Sequence, residues 1–207
     1  MNRGVLITFE GGEGAGKTTL IDKIEAWLLQ KDLPLFRTRE PGGTHLGEQI
    51  RQILLQTTDP LSPYTELALF LASRAQHIEE RIIPALKAGK IVLCDRFNDS
   101  SIAYQGSGRG LGLEKVDEVC TFFSQGLKPD LTLYLDIDPE IGLSRILRGK
   151  DRIEVEKLSF HQKIREGYHF LRERYPKRFH LLDASKKPEE VFRAALKLIE
   201  NVCLSNT

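Results

Sequence analysis

The sequence predicts an α/β fold, a three-layer sandwich with helices on both faces of a parallel, roughly five-stranded sheet. Three observations predict it. Short β-rich runs alternate with longer amphipathic segments from end to end. The runs are mostly continuous apolar segments rather than strictly alternating in and out, as in strands covered on both faces. No repeat, low-complexity tract or linker divides the 207 residues, so they read as a single domain.

The strands are expected at residues 5–9, 35–38, 91–94, 131–135 and 180–182. The first helix, 18–29, sets Leu20, Ile21, Ile24, Trp27 and Leu28 at helical spacing. A second, 46–55, gathers Ile50, Ile53 and Leu54 on one face. Residues 64–87 read as a long apolar helix whose last turns Pro84 should kink, because proline lacks the N–H the helix needs. Helices at 113–125, 139–147, 156–175 and 188–202 complete the pattern, with right-handed crossovers between strands. One segment breaks it. Residues 145–157 are dense in charge and poor in apolar side chains, and read as an exposed, flexible flap.

Composition narrows the function classes. Lys and Arg number 30 against 29 Asp and Glu, a formal net charge of +1, and 41% of residues are hydrophobic. That is the balance of a soluble globular protein. It argues against nucleic acid or a membrane surface as the main partner, since both favour a strongly basic face. Cys94, Cys120 and Cys203 are odd in number and far apart, so reduced thiols in a cytoplasmic protein are expected. The apolar run 5–9 is too short for a signal-peptide core, and no run approaches the roughly 20 residues of a membrane span.

The strongest chemical signal is Gly11-Gly12-Glu13-Gly14-Ala15-Gly16-Lys17-Thr18, which fits G-x-x-x-x-G-K-[ST] without a mismatch. It follows the first strand directly and opens the first helix, the setting the motif requires. Glycines let backbone N–H groups converge on phosphate oxygens, and the helix N-terminus adds partial positive charge. Lys17 is expected to reach the β- and γ-phosphates of ATP, and the Thr18 hydroxyl to ligate Mg²⁺. The base-reading N-K-x-D of GTPases does not occur, which leaves a small kinase or a nucleotide-binding module.

Three clusters point to an acceptor. Arg39-Glu40-Pro41-Gly42-Gly43-Thr44 follows the second strand, and ligands of open α/β sheets gather beyond the carboxyl ends of strands. Asp95-Arg96-Phe97 ends the third strand, where an aspartate suits a metal and an arginine can bridge transferring phosphates. The flap carries Arg145, Arg148, Lys150 and Arg152, cations suited to closing over a donor.

Taken together, F-E-G-G-E-G-A-G-K-T-T, T-R-E-P-G-G-T, D-R-F with S-S-I-A-Y-Q-G, P-D-L-T-L-Y-L-D and D-R-I-E resemble the bacterial thymidylate kinase (dTMP kinase) family, in the right order from Val5 to about Ser185. The resemblance implies a nucleoside monophosphate kinase fold, ATP and dTMP as substrates, and a homodimer. It implies Arg96 between donor and acceptor phosphates, Asp95 beside the metal with help from Glu154, and Arg39 on the dTMP phosphate. Phe70 would stack on thymine, with Arg74 one turn later on the same helix face. Ser101 and Gln105 would complete the base contacts, Tyr104 would crowd the sugar 2′ position, and Glu13 would lie near the acceptor sugar. Arg145 and Arg148 would bind ATP, with Arg152 the transition-state contact. Phe97 in place of the usual Tyr or His, Ser101 for Thr and Ile102 for Gln depart from the family pattern, and none removes a catalytic charge. A kinase of another small acceptor and a non-catalytic nucleotide-binding module are the competing readings.

Overall fold

The computed structural model describes residues 4–147 and 151–204. Five strands, β1 (Val5–Glu10), β2 (Leu35–Arg39), β3 (Ile91–Asp95), β4 (Leu131–Asp136) and β5 (Phe179–Asp183), form one sheet in the order β2-β3-β1-β4-β5. All neighbours are parallel. The register sets Phe9 and Arg39 level with Asp95, so three strands end together beneath one cleft.

Both faces of β1, β3 and β4 are covered, which is why these strands are buried almost throughout, while edge strand β2 carries Arg37 and Arg39. On one side α1 (Lys17–Gln30) and α9 (Pro188–Leu204) bury Ile21, Ile24, Ala195 and Ile199 against Ile7, Phe9 and Leu133. On the other side α3 (Pro63–His77), α6 (Leu113–Phe123) and α8 (Leu158–Arg174) pack Leu71, Val116, Ile164 and Tyr168 near Tyr134 and Phe179. The polar Thr8 and Thr132 inside the sheet satisfy each other at 2.9 Å, as buried hydroxyls must. α2 (His45–Gln56) starts where Thr44 accepts from the Gly47 N–H. α7 (Pro139–Ser144) starts where Asp138 accepts from the Glu140 N–H.

Three regions differ from expectation. The long helix widens into a π turn at Ile78–Ile82 before α4 (Ile83–Lys87), so the change of path comes before Pro84 rather than after it. Pro84 has no N–H to give the carbonyl four residues back, and the wider turn accommodates that loss. A helix is present where only a motif was read: α5 (Asn98–Ser101) continues as a π turn, Ile102–Gly108. Part of the flap is folded down. Asp151 accepts from the Ile153 and Glu154 N–H groups, and Ile153 and Glu154 are only 6% and 3% exposed. Arg148 and Lys150 lie outside the described residues. Cys94 and Cys120 are buried free thiols, and no helix among the described residues is long and apolar enough to cross a membrane.

Candidate active site

The cleft over the strand ends holds a cavity of about 680 Å³. It is lined by residues 14–18 of the glycine loop and by Phe70 and Arg74 of α3, with Asp95, Arg96 and Tyr104 in the same wall.

The loop is held by close backbone packing. Gly14 has φ +68°, and a Cβ there would come within 1.9 Å of the Gly142 carbonyl oxygen. Gly142 in α7 is the reciprocal partner, its own Cβ position 2.3 Å from the Glu13 carbonyl. Ala15 is buried, while Gly16 and Thr18 are open to the cleft. The Lys17 ammonium folds back onto the Gly11 and Gly12 carbonyls, each at 3.1 Å. Burial pushes its pKa down and Arg96 adds to that, against the pull of Glu13 and Asp95. A cation so crowded gains by meeting phosphate oxygens.

Arg96, Glu13 and Tyr104 form one unit. Arg96 has a left-handed backbone, φ +70°. Its Nη2 donates to Glu13 Oε1 at 2.8 Å, its Nη1 to Gly11 O at 3.1 Å, and its guanidinium lies 4.9 Å from the Tyr104 ring centroid. The Tyr104 hydroxyl donates to the same Glu13 oxygen at 2.6 Å. Burial pushes the Glu13 carboxyl up, but Arg96 and Lys17 outweigh it and hold it at about 2. A carboxyl depressed from 4.5 adds stability that is complete above about pH 4.5 and lost as pH falls towards 2. Melting curves from pH 5 to 2 should therefore show Glu13→Gln flattening this acid loss by roughly 3 kcal/mol. An unchanged slope would contradict it.

Around α3 the cavity wall combines an aromatic ring with a buried cation. Phe70 is half-buried and faces the cavity instead of the core. Arg74 is 1% exposed: Nε donates to Glu40 Oε2 at 2.6 Å and Nη2 to Phe97 O at 3.0 Å. Ser101 and Gln105 line the same space, and Gln105 Nε2 donates to Glu66 at 2.9 Å. Glu40, His77 and Cys94 bring ligand-type atoms within 4.8 Å of one another. Each already has a partner: Arg74 and His77 on Glu40, Thr38 on His77, and the Arg96 carbonyl accepting from Cys94. The trio supports Arg74.

Four expected residues lie away from the cavity wall: Gly11 and Gly12, whose carbonyls hold Lys17, and Arg39 and Arg152. Arg39 is 53% exposed and pairs with Glu48 at 3.0 Å. Its place in the lining is taken by Arg51 of α2, whose Nη1 donates to the Pro41 carbonyl at 2.9 Å. Burial lowers the Arg51 pKa, and Arg39 and Arg96 lower it further: three cations crowd a space suited to an anion. In the sequence Arg51 is only a polar position on an amphipathic helix. Arg152 donates to Glu66 Oε2 at 2.7 Å and to Leu54 O at 2.9 Å, whereas Arg145 lies in the wall, 3.3 Å from the Ala184 carbonyl. Asp95 Oδ1 is buried with no hydrogen-bond partner among the described residues, and Thr18 and Glu154 share its cavity. An oxygen-rich set with an unmet carboxylate oxygen fits a hard divalent cation.

Comparison with known proteins agrees with this geometry. The family model described as thymidylate kinase matches residues 9–195. Thymidylate kinase of Clostridium novyi is 48% identical over 93% of this chain and 96% of its own length, and that of Bacillus velezensis 49% identical over 95% of each. The crystal structure of thymidylate kinase from Ehrlichia chaffeensis superposes with a TM-score of 0.78, at 30% identity over 96% of this chain and 99% of that one. With the glycine loop, Arg96 and Phe70 in one cavity, the chain belongs to the thymidylate kinase family and is a dTMP kinase with ATP as co-substrate.

Proposed function

We propose that Lys17, Arg96 and the flap arginines carry the transfer from ATP to dTMP by positioning and charge neutralisation. The observation that carries this reading is Arg96, held by Glu13 and Gly11 in the same cavity wall as Lys17 and the Phe70–Arg74 acceptor end. An oxygen of the dTMP phosphate attacks the γ-phosphorus, the bond to the β–γ bridging oxygen breaks, and ADP leaves. The attacking oxygen is already anionic near neutral pH, so no general base is required. What remains is in-line alignment and neutralisation of the equatorial oxygens.

Thr18, Asp95 and Glu154 would hold Mg²⁺, which when bound draws charge from the β- and γ-phosphate oxygens. Arg51, with Arg39 behind it, suits the acceptor phosphate, Phe70 the thymine face and Arg74 its edge. Tyr104 over Glu13 limits room at the sugar 2′ position. Arg145 sits by the loop for the donor, with Arg148 beside it in sequence. Arg152 is proposed to exchange Glu66 for phosphate when the flap closes, since phosphate offers the same paired acceptors. A homodimer and a cytoplasmic location belong to the same reading.

Turnover of a panel of monophosphates with ATP and magnesium tests the assignment. Lys17→Ala is expected to lose several orders of magnitude in kcat with its fold retained, and near-normal turnover would sink the loop's role. Arg152→Met is expected to lower kcat on the order of 10²-fold. A raised KM for ATP at unchanged kcat would make Arg152 a binding residue. No change in either would leave it a structural partner of Glu66.

A further inference from the structure

Glu10, the last residue of β1, is wholly buried and does not line the cavity, yet three donors converge on its carboxylate. Oε1 accepts from the Phe97 N–H at 2.8 Å. Oε2 accepts from the Ser100 hydroxyl at 2.5 Å and the Tyr168 hydroxyl at 3.0 Å. With three donors on its two oxygens, the Glu10 carboxyl serves as an acceptor hub. What these bonds fix is the neighbourhood of Arg96. The Phe97 N–H belongs to the peptide immediately after Arg96, and Ser100 Oγ, its proton given to Glu10, accepts from Arg96 Nη1 at 3.3 Å. Arg96 is one of only three described non-glycine residues with positive φ, a conformation that persists only where the surroundings impose it. Its own N–H bonds to the Phe9 carbonyl at 3.0 Å, on the strand that carries Glu10.

We infer that Glu10 is a positioning residue for the transfer: it clamps the Phe97 peptide and Ser100, and so holds Arg96 in the left-handed backbone that aims its guanidinium along the cavity. The inference rests on the reading of Arg96 given above. The end of β1 thereby does two jobs, launching the glycine loop and setting the arginine that faces it, so both sides of the transfer share one rigid strand. Burial and the nearby Asp99 push Glu10 up to about 7, against Ser100, Arg96 and the Phe97 N–H, an unfavourable placement more typical of functional sites than of packing alone. The competing reading is a plain structural hub joining β1 to α8 through Tyr168.

A double-mutant cycle separates the two. Glu10→Gln keeps the size and one acceptor oxygen, and the Ser100 and Tyr168 hydroxyls can rotate to accept from its amide. Its kcat is expected to fall about tenfold, with KM for ATP and dTMP nearly unchanged, since a misplaced group loses the transition state rather than the ground state. Ser100→Ala, which cuts one of the two links, should give a smaller loss of the same kind. In an Arg96→Met background, followed by single-turnover transfer of labelled phosphate, Glu10→Gln should add less than about twofold, because the group it positions is gone. An equal loss in both backgrounds, a loss confined to KM, or a normal kcat for Glu10→Gln would overturn the inference and leave Arg96 untouched. A near-normal kcat for Arg96→Met alone would instead overturn the reading of Arg96 on which it rests.

Discussion

Arg96→Met is expected to lower kcat for dTMP phosphorylation by about three orders of magnitude, the range typical of an arginine that neutralises a transferring phosphoryl group. The argument is geometric. The guanidinium is held at 2.8 Å by Glu13 and at 3.1 Å by the Gly11 carbonyl, and it shares the cavity wall with Lys17. It is therefore set before substrate arrives, and little reorganisation is needed when charge develops. Methionine keeps most of the bulk over the Tyr104 ring, and the left-handed backbone suits it no worse than arginine. The melting temperature should fall as well, because Glu13 loses its main partner and only Tyr104 and Lys17 remain to meet its carboxylate; the kinetic readout is therefore taken well below it. Loss confined to kcat is the expected signature, since the charge acts where phosphoryl oxygens gain negative character. A kcat within tenfold of normal would remove Arg96 from the chemistry.

How much of this was legible depends on the range of the interaction. The strands and the glycine loop are local patterns: apolar runs of about five residues, and a motif that needs only its own strand and helix. The grouping of Lys17, Asp95 and Arg96 follows from motifs at strand ends, and the parallel register brings those ends level. What the sequence hid is where each guanidinium turns. Arg39 and Arg51 both flank Glu48, and only packing decides that Arg51 enters the wall while Arg39 stays outside on the carboxylate. Arg152 meets Glu66 across 86 positions of sequence, and Gln105 and Arg109 meet the same carboxylate, a convergence no local window contains. The helix that presents Ser101 and Gln105 was missed for a related reason. It starts at Asn-Asp-Ser-Ser, contains two glycines, and has seven residues wound as a π turn with no simple apolar period.

Glu40 carries the largest expected effect on stability. It lies at the end of β2 with its side chain 2% exposed, against Arg74 at 1% and His77 at 0%. Burial raises its pKa, but Arg74 and His77 more than offset that and keep it below the ordinary carboxylate value. Glu40→Ala strands the buried Arg74 cation and also unpairs His77 Nδ1. Breaking one side of such a buried pair costs on the order of 3–5 kcal/mol, which for a domain of this size lowers Tm by roughly 10 °C. Glu40→Gln leaves a hydrogen-bond acceptor but no charge, so it should fall between the two. The same variants should raise KM for dTMP more than KM for ATP, because Arg74, proposed for the thymine edge, keeps only its bonds to the Phe97 carbonyl and the Cys120 sulfur. Thermal melting and steady-state kinetics on the Ala and Gln forms check both effects. If Glu40→Ala melts within two degrees of the parent, the ion pair contributes little to the fold. If KM for both substrates then rises equally, Arg74 is not specific to the acceptor end.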